Sequence, residues 1–94
     1  MFAKEPIDLD KISKEFTDRE ILRFALAAEL DAINFYEQMA EYTDDDILKQ
    51  VLLEVAKEEK EHVGEFQTLL LRLDKQQVDE MEEGKEEVEE LMGE

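Results

Sequence analysis

The chain has 94 residues, enough for one small domain, and contains no cysteine. Disulfides, zinc fingers and iron–sulfur clusters are therefore excluded, and a reducing, cytosolic setting is favoured. Eleven basic residues face 28 acidic ones, giving a formal net charge of −17. This charge argues against nucleic acid and anionic membranes as partners and favours cations, although an acidic surface that serves only solubility has the same composition. No apolar run approaches the roughly 20 residues of a membrane span.

The first predicted elements are an irregular lead-in and a long helix. Residues 1–16 contain the only proline, Pro6, and show no sustained periodicity. The sequence Thr-Asp-Arg-Glu at 17–20 is a capping box, in which the Thr17 hydroxyl can accept from a backbone N–H three residues later. We predict that a helix begins there and runs to about Tyr42, because its composition favours helix and no glycine or proline interrupts it.

A second helix is predicted after a short acidic turn. Residues 43–46 are Thr-Asp-Asp-Asp, a cluster of N-cap residues, and the helix they open runs from about Asp46 to Leu73. Because the turn is short, we expect the two helices of residues 17–73 to form an antiparallel hairpin.

Residues 74–94 predict an acidic, weakly packed helical appendage. They carry ten acidic and two basic residues. A capping box at 74–77 predicts a short helix to about Glu83, which Gly84 would terminate. Residues 85–92 predict a last helical piece.

Each long helix carries one apolar stripe whose members are three and four residues apart, the spacing of a bundle seam. The exceptions are Glu29 on the first helix and the neighbouring pair Glu59 and His62 on the second. The stripes consist of Leu22, Leu26, Glu29, Ile33, Tyr36 and Ala40, and of Leu48, Leu52, Val55, Glu59, His62, Phe66, Leu69 and Leu73.

The three ionisable groups on these stripes are predicted to form a metal site. Glu29 precedes the turn by about as many residues as Glu59 and His62 follow it, so an antiparallel hairpin brings all three within about two helical turns. Buried carboxylates need a compensating charge, and neither stripe contains lysine or arginine. Glu59 and His62 also have the Glu-x-x-His spacing of carboxylate-bridged di-iron bundles, which projects both side chains from one face.

One chain supplies only half of such a site. A di-iron bundle uses a glutamate from each of two helices and a Glu-x-x-His motif from each of two others, whereas this chain has a single histidine. Two copies related by a two-fold axis would complete the site and enlarge a marginal core. The predicted fold is therefore all-α: an antiparallel two-helix hairpin with a short C-terminal helix, which completes a four-helix bundle by dimerisation.

Other interpretations of these residues stay open. Glu59 and His62 could form an ion pair that fixes helix register without a metal. Tyr36 is either a core aromatic or a hydrogen-bond donor to a ligand carboxylate. Asp31 is either a solvated charge or part of a secondary cation site. A metal that only holds helices together would make the chain a structural module, and the absence of any metal would make it an acidic helical interaction module.

Two blocks of the sequence, Glu29–Gln38 and Glu58–Phe66, resemble the encapsulated ferritins, a branch of the ferritin-like superfamily. The resemblance covers roughly Thr17 to the end of the chain. It implies a ferritin-like bundle in which two-helix protomers pair around a di-iron ferroxidase centre, and pairs close into a ring, typically a decamer. It also implies oxidation of Fe(II) to Fe(III) for iron storage inside an encapsulin nanocompartment in the cytoplasm.

The resemblance assigns roles to individual positions. The iron ligands of the family fall on Glu29, Glu59 and His62, the residues that the stripes had already marked. The tyrosine of the family falls on Tyr36, and the tryptophan of its best-known pattern is replaced by Phe35.

Two features depart from the family pattern. An outer metal site uses a glutamate directly before the first iron ligand and an acid two residues after that ligand; here these positions are Ala28 and Asp31, which predicts a reduced outer site. Free-standing members usually end in a tail with a short apolar targeting peptide, whereas this sequence ends Leu-Met-Gly-Glu. We therefore expect either a shortened tail or a domain that belongs to a fusion with the shell protein, as in some archaeal relatives.

Overall fold

The computed structural model describes residues 18–93, which form three α-helices: α1 (Asp18–Tyr42), α2 (Asp46–Leu73) and α3 (Lys75–Leu91). The all-helical fold predicted from the sequence is confirmed for these residues. The predicted lead-in and the Thr17 cap lie outside them. None of the three helices has an apolar stretch long enough to cross a membrane.

The turn between α1 and α2 caps the second helix with its own side chains. Asp45 is the N-cap residue, and its Oδ1 accepts hydrogen bonds from the backbone N–H groups of Ile47 (2.9 Å) and Leu48 (3.0 Å). Thr43 Oγ1 accepts from the backbone N–H of Asp45 at 3.1 Å. These bonds satisfy donors that the start of a helix leaves unpaired, which confirms the predicted capping cluster.

Ion pairs between distant residues show that α1 and α2 are antiparallel, as predicted. Arg23, near the start of α1, contacts Asp74 just beyond the end of α2 at 2.8 Å. Glu37, towards the end of α1, contacts Lys60 in the middle of α2, also at 2.8 Å. Glu37 is nearer the turn than Arg23 is, and its partner Lys60 is likewise nearer the turn than Asp74 is. This is the pattern of two antiparallel helices.

The core of the hairpin is thin and contains much alanine. Small side chains let two helices approach closely, but they bury little apolar surface. The buried apolar residues among those described are Leu22, Ala32, Ala40, Ala56 and Leu70. The two helices therefore contact each other along their length but bury only a small apolar core.

The apolar stripe predicted for α2 is only partly buried within one chain. Leu48, Leu69 and Leu73 expose 46%, 44% and 49% of their surface. The buried residues Ala56 and Leu70 each follow a predicted stripe position by one residue. One residue is about 100° of helix rotation, so α2 packs on the face that contains its alanine, and the leucines line the edge of the hairpin.

The third helix is continuous, and the predicted end near Glu83 is wrong. Gly84 lies inside α3, with a backbone that is not in the left-handed region, whereas Gly93, beyond the helix, has φ of 80°. Glycine costs about 1 kcal/mol relative to alanine in a helix interior. The glutamates and lysine around it are good helix formers, so this cost does not end the helix.

The third helix packs weakly on the hairpin. α3 contacts α2 close to their junction and buries none of its own side chains. The described residues extend 47 × 45 × 19 Å, a flat shape in which α3 projects away from the hairpin. The division into a lead-in (1–16), a hairpin (17–73) and an appendage (74–94) stays a prediction.

Replacing Gly84 by alanine is expected to stabilise α3 by about 1 kcal/mol. A Cβ added at this position meets no heavy atom within 4 Å, so the gain in helix propensity carries no steric cost. Hydrogen exchange of the α3 amides should slow by roughly fivefold. Gly93→Ala is the control and should give no protection, since its positive φ disfavours alanine. Faster exchange in Gly84→Ala would contradict the expectation.

Candidate metal centre

Two carboxyl groups and one imidazole meet between α1 and α2. Glu29 lies in the middle of α1, and Glu59 and His62 lie one turn apart in α2, so the i, i+3 spacing directs both towards α1. One ligand atom from each residue lies within 4.8 Å of the other two. Within residues 18–93 this is the only such group of acidic and histidine side chains. The structure thus brings together the three residues that the sequence marked.

One nitrogen of the imidazole lies close to both carboxyl groups. His62 Nδ1 is 3.2 Å from Glu29 Oε2 and 3.5 Å from Glu59 Oε1. The side chains of Glu29 and Glu59 are 20% and 18% exposed, whereas that of His62 is 43% exposed. The carboxyl groups are therefore largely covered by the hairpin, and the site is open on the side of the imidazole.

The electrostatics of the cluster favour a positive charge. A hydrogen bond with Glu29 is the main cause that raises the pKa of Glu59, followed by burial and by repulsion from the Glu29 carboxylate. The pKa of His62 is also raised, chiefly by its hydrogen bond to Glu29 and further by the negative charges of Glu59 and Glu65. Each group thus binds protons more readily than it would in isolation, as expected where negative charge lacks a partner.

Within the described part of the chain, no lysine or arginine forms an ion pair with these carboxyl groups. Lys60 follows Glu59 directly, but its Nζ contacts Glu37 Oε2 at 2.8 Å. Two carboxylate oxygens and one imidazole nitrogen form a donor set that suits iron, manganese or zinc. Three protein ligands leave coordination positions open, so the residues fit a metal that shares further ligands with another group.

The structure does not bring Tyr36 or Asp31 into the cluster. Tyr36 is half-buried and its ring lies against that of Phe35, with centroids 5.4 Å apart. Within the described part of one chain, its hydroxyl makes no hydrogen bond to Glu29, Glu59 or His62. Asp31 is half-buried and does not join the three clustered residues. The ligand-bonding role of Tyr36 and the secondary site at Asp31 stay predictions.

Sequence reasoning missed two ion pairs that join distant parts of the chain. The Arg23–Asp74 and Glu37–Lys60 pairs join residues far apart along the chain. No local spacing identifies such partners, because each depends on the register of α1 against α2. Asp74 was predicted only as a helix cap, a role in which its Oδ1 accepts from the backbone N–H of Gln77 at 3.1 Å.

Two curated relatives are similar to large parts of the chain. The ferritin-like-encapsulin shell fusion protein of Pyrococcus furiosus is 62% identical over 74 residues, which cover 79% of this chain and 21% of that protein. The encapsulin nanocompartment cargo protein EncC of Myxococcus xanthus is 39% identical over 69 residues, which cover 70% of this chain and 53% of that protein. The chain thus matches about a fifth and about half of their respective lengths.

A solved structure has the same fold. The crystal structure of the encapsulated ferritin domain from Pyrococcus furiosus superposes with a TM-score of 0.83 at 54% identity, covering 94% of this chain and 95% of that one. The sequence model of the EncFtn-like family matches residues 4–84. The resemblance proposed from the two sequence blocks is confirmed, and the chain belongs to the EncFtn-like family.

Proposed function

We propose that two copies of this chain form a di-iron ferroxidase centre that oxidises Fe(II) to Fe(III) with dioxygen. The observation that carries the proposal is the convergence of Glu29, Glu59 and His62, with no lysine or arginine of residues 18–93 paired to their carboxyl groups. Iron is the substrate of this reaction, and dioxygen accepts its electrons. Membership of the EncFtn-like family supports the same function.

The geometry of one chain supports a second copy as the source of the missing ligands. A carboxylate-bridged site takes two glutamates and two Glu-x-x-His motifs, and the chain supplies one of each. The imidazole side of the cluster is open to solvent, and the exposed leucines Leu48, Leu69 and Leu73 line an edge of the hairpin. A two-fold axis beside His62 would double the ligand set and cover apolar surface.

Each ligand then has a distinct task. In this proposal Glu59 would be shared between the two ions, and Glu29 and His62 would each hold one ion. The hydrogen bond between His62 and Glu29 orients both ligands before metal arrives. Protons held by Glu59 and His62 must leave as the metal binds. The acidic surface raises the local concentration of Fe(II).

The relatives suggest where this reaction takes place. One is named as a fusion with an encapsulin shell and the other as an encapsulin nanocompartment cargo protein. We infer that this chain, too, works inside an encapsulin nanocompartment in the cytoplasm, where the Fe(III) product is stored. The annular decamer implied by the family resemblance belongs to the same proposal.

A structural role without oxidation is the second candidate. Glu29 and His62 contact each other at 3.2 Å without a metal. An ion pair whose only role is to fix the register of α1 against α2 would make the same contact. A bound metal could likewise hold the two chains together without reacting. Oxygen consumption separates these functions, because only the ferroxidase requires it.

Substitution of Glu29, Glu59 or His62 by alanine is expected to abolish iron-dependent oxygen consumption. Each substitution removes one proposed iron ligand from each chain. Titration of the parent protein with Fe(II) under air should saturate near one iron per chain, as two ions shared by two chains require. Glu61→Ala is the matched control, because Glu61 lies on α2 beside His62 but is exposed. Turnover equal to the parent in all three variants would refute the site, and binding without oxidation would leave a structural metal.

Affinity for a divalent cation is expected to fall as the pH falls through the raised pKa values of His62 and Glu59. Protons and metal compete for the same lone pairs, so affinity is highest at pH values above both pKa values. Calorimetric titration with Mn²⁺, which avoids oxidation of Fe(II), tests this at pH values above and below the ordinary histidine value of 6.5. Glu61→Gln should keep the pH dependence. An affinity that does not vary with pH would place the metal elsewhere.

A further inference from the structure

A lysine lies between two of the proposed metal ligands in the sequence. Lys60 directly follows Glu59 and precedes His62 by two residues. It also follows the buried Ala56 by four residues, so both side chains leave α2 from the same face. Because α2 packs against α1 on the face that contains Ala56, the stem of Lys60 begins on the side of α2 that faces α1.

Along the hairpin, Lys60 lies closer to the level of the carboxyl cluster than to the level of its own partner. Glu29 contacts His62 at 3.2 Å, so these two residues mark one level of the antiparallel helices. Lys60 is about 3 Å nearer the turn than His62, whereas Glu37 is about 12 Å nearer the turn than Glu29. The Lys60 side chain therefore spans about 9 Å along the hairpin to bring its Nζ within 2.8 Å of Glu37 Oε2.

Glu37 determines which way this side chain extends. Side chains of an α-helix lean towards its N-terminus, which for α2 is the end at the turn, but the four-carbon stem of lysine is flexible. Within residues 18–93, Glu37 is the one acidic residue that forms an ion pair with Lys60. Without that partner, the carboxyl groups nearest to the level of Lys60 on the facing sides of the helices are those of Glu29 and Glu59.

The position of the ammonium group matters more than the strength of the pair. The side chains of Lys60 and Glu37 are 58% and 44% exposed, and an ion pair this exposed adds little to the stability of a fold. An ammonium group beside Glu29 and Glu59 would instead balance the charge that attracts a metal ion, and the metal would have to displace it.

We propose that Glu37 is a positioning residue of the metal centre, which holds the Lys60 ammonium towards the turn and so prevents it from pairing with Glu29 or Glu59. This role rests on the proposed metal site and adds a residue that decides whether a metal ion or a lysine balances its charge. Glu37 contacts no metal in this role and acts only through Lys60.

Substitution of Glu37 by glutamine removes the charge of this partner and keeps its size. Calorimetric titration with Mn²⁺ at low ionic strength should show an affinity roughly fivefold below that of the parent, the effect of one competing unit charge near a protein surface. Glu41→Gln is the matched control, because Glu41 is exposed and lies one turn further along α1. An unchanged affinity in Glu37→Gln, or an equal loss in Glu41→Gln, overturns the proposal.

Removal of the lysine separates this role from other effects of Glu37. Lys60→Gln, added to Glu37→Gln, should restore the parent affinity, because no ammonium group is left to compete. Lys57→Gln in the same background should not restore it, since Lys57 is exposed and lies one turn earlier on α2. A loss of affinity that persists without Lys60 would mean that Glu37 attracts the metal by its own charge or supports the fold, and either result overturns the proposal.

The same titrations distinguish a failure of this proposal from a failure of the metal centre. Binding of Mn²⁺ by the parent that Glu59→Ala abolishes supports the site, whatever Glu37→Gln does. If the parent binds in this way and Glu37→Gln binds equally well, only the role of Glu37 is refuted. If the parent binds no Mn²⁺, or if Glu59→Ala binds it as the parent does, both the site and the role of Glu37 are refuted.

Discussion

The structure depends on two carboxyl groups that lie close together, with the imidazole of His62 as the one basic group found beside them among residues 18–93. Glu29 and Glu59 are near enough that a hydrogen bond between them is the chief cause of the raised pKa of Glu59. An apolar pair at these positions would make a more stable hairpin, because partly buried carboxylates lose hydration and repel each other. A bound cation would offset this cost, which is one reason for proposing a metal site here.

The alanine-rich contact between α1 and α2 brings the three site residues together but limits the stability of the hairpin. Ala32, Ala40 and Ala56 let the two helices pack closely, which allows Glu29 to reach His62 at 3.2 Å. Small side chains bury little apolar surface, so the hairpin gains little stability from its own core. The close approach that brings Glu29 to His62 therefore also leaves an apolar edge exposed, which the proposed second copy would cover.

The sequence predicted the candidate site well because its determinants are local. The spacing of Glu59 and His62 fixes their common direction on any α-helix, and a three-residue turn fixes the antiparallel return to Glu29. The rotation of α2 could not be predicted in this way, since it depends on which small residues of both helices meet. The prediction also ended the third helix wrongly at Gly84. Glycine often terminates a helix, but here the helix propensity of the flanking residues outweighs its cost.

The distribution of the few basic residues explains why the carboxyl cluster stays uncompensated. Arg23, Lys60 and Lys75 each contact an acidic partner outside the site, and none of them lies among its donors. These pairs hold helices in register or support the start of α3, tasks that need only short-range contact. The remaining negative charge acts over about 10 Å at moderate ionic strength and so attracts mobile cations. Arg23, Lys60 and Lys75 are thus engaged outside the cluster, and the space among Glu29, Glu59 and His62 is the one that we propose for a metal ion.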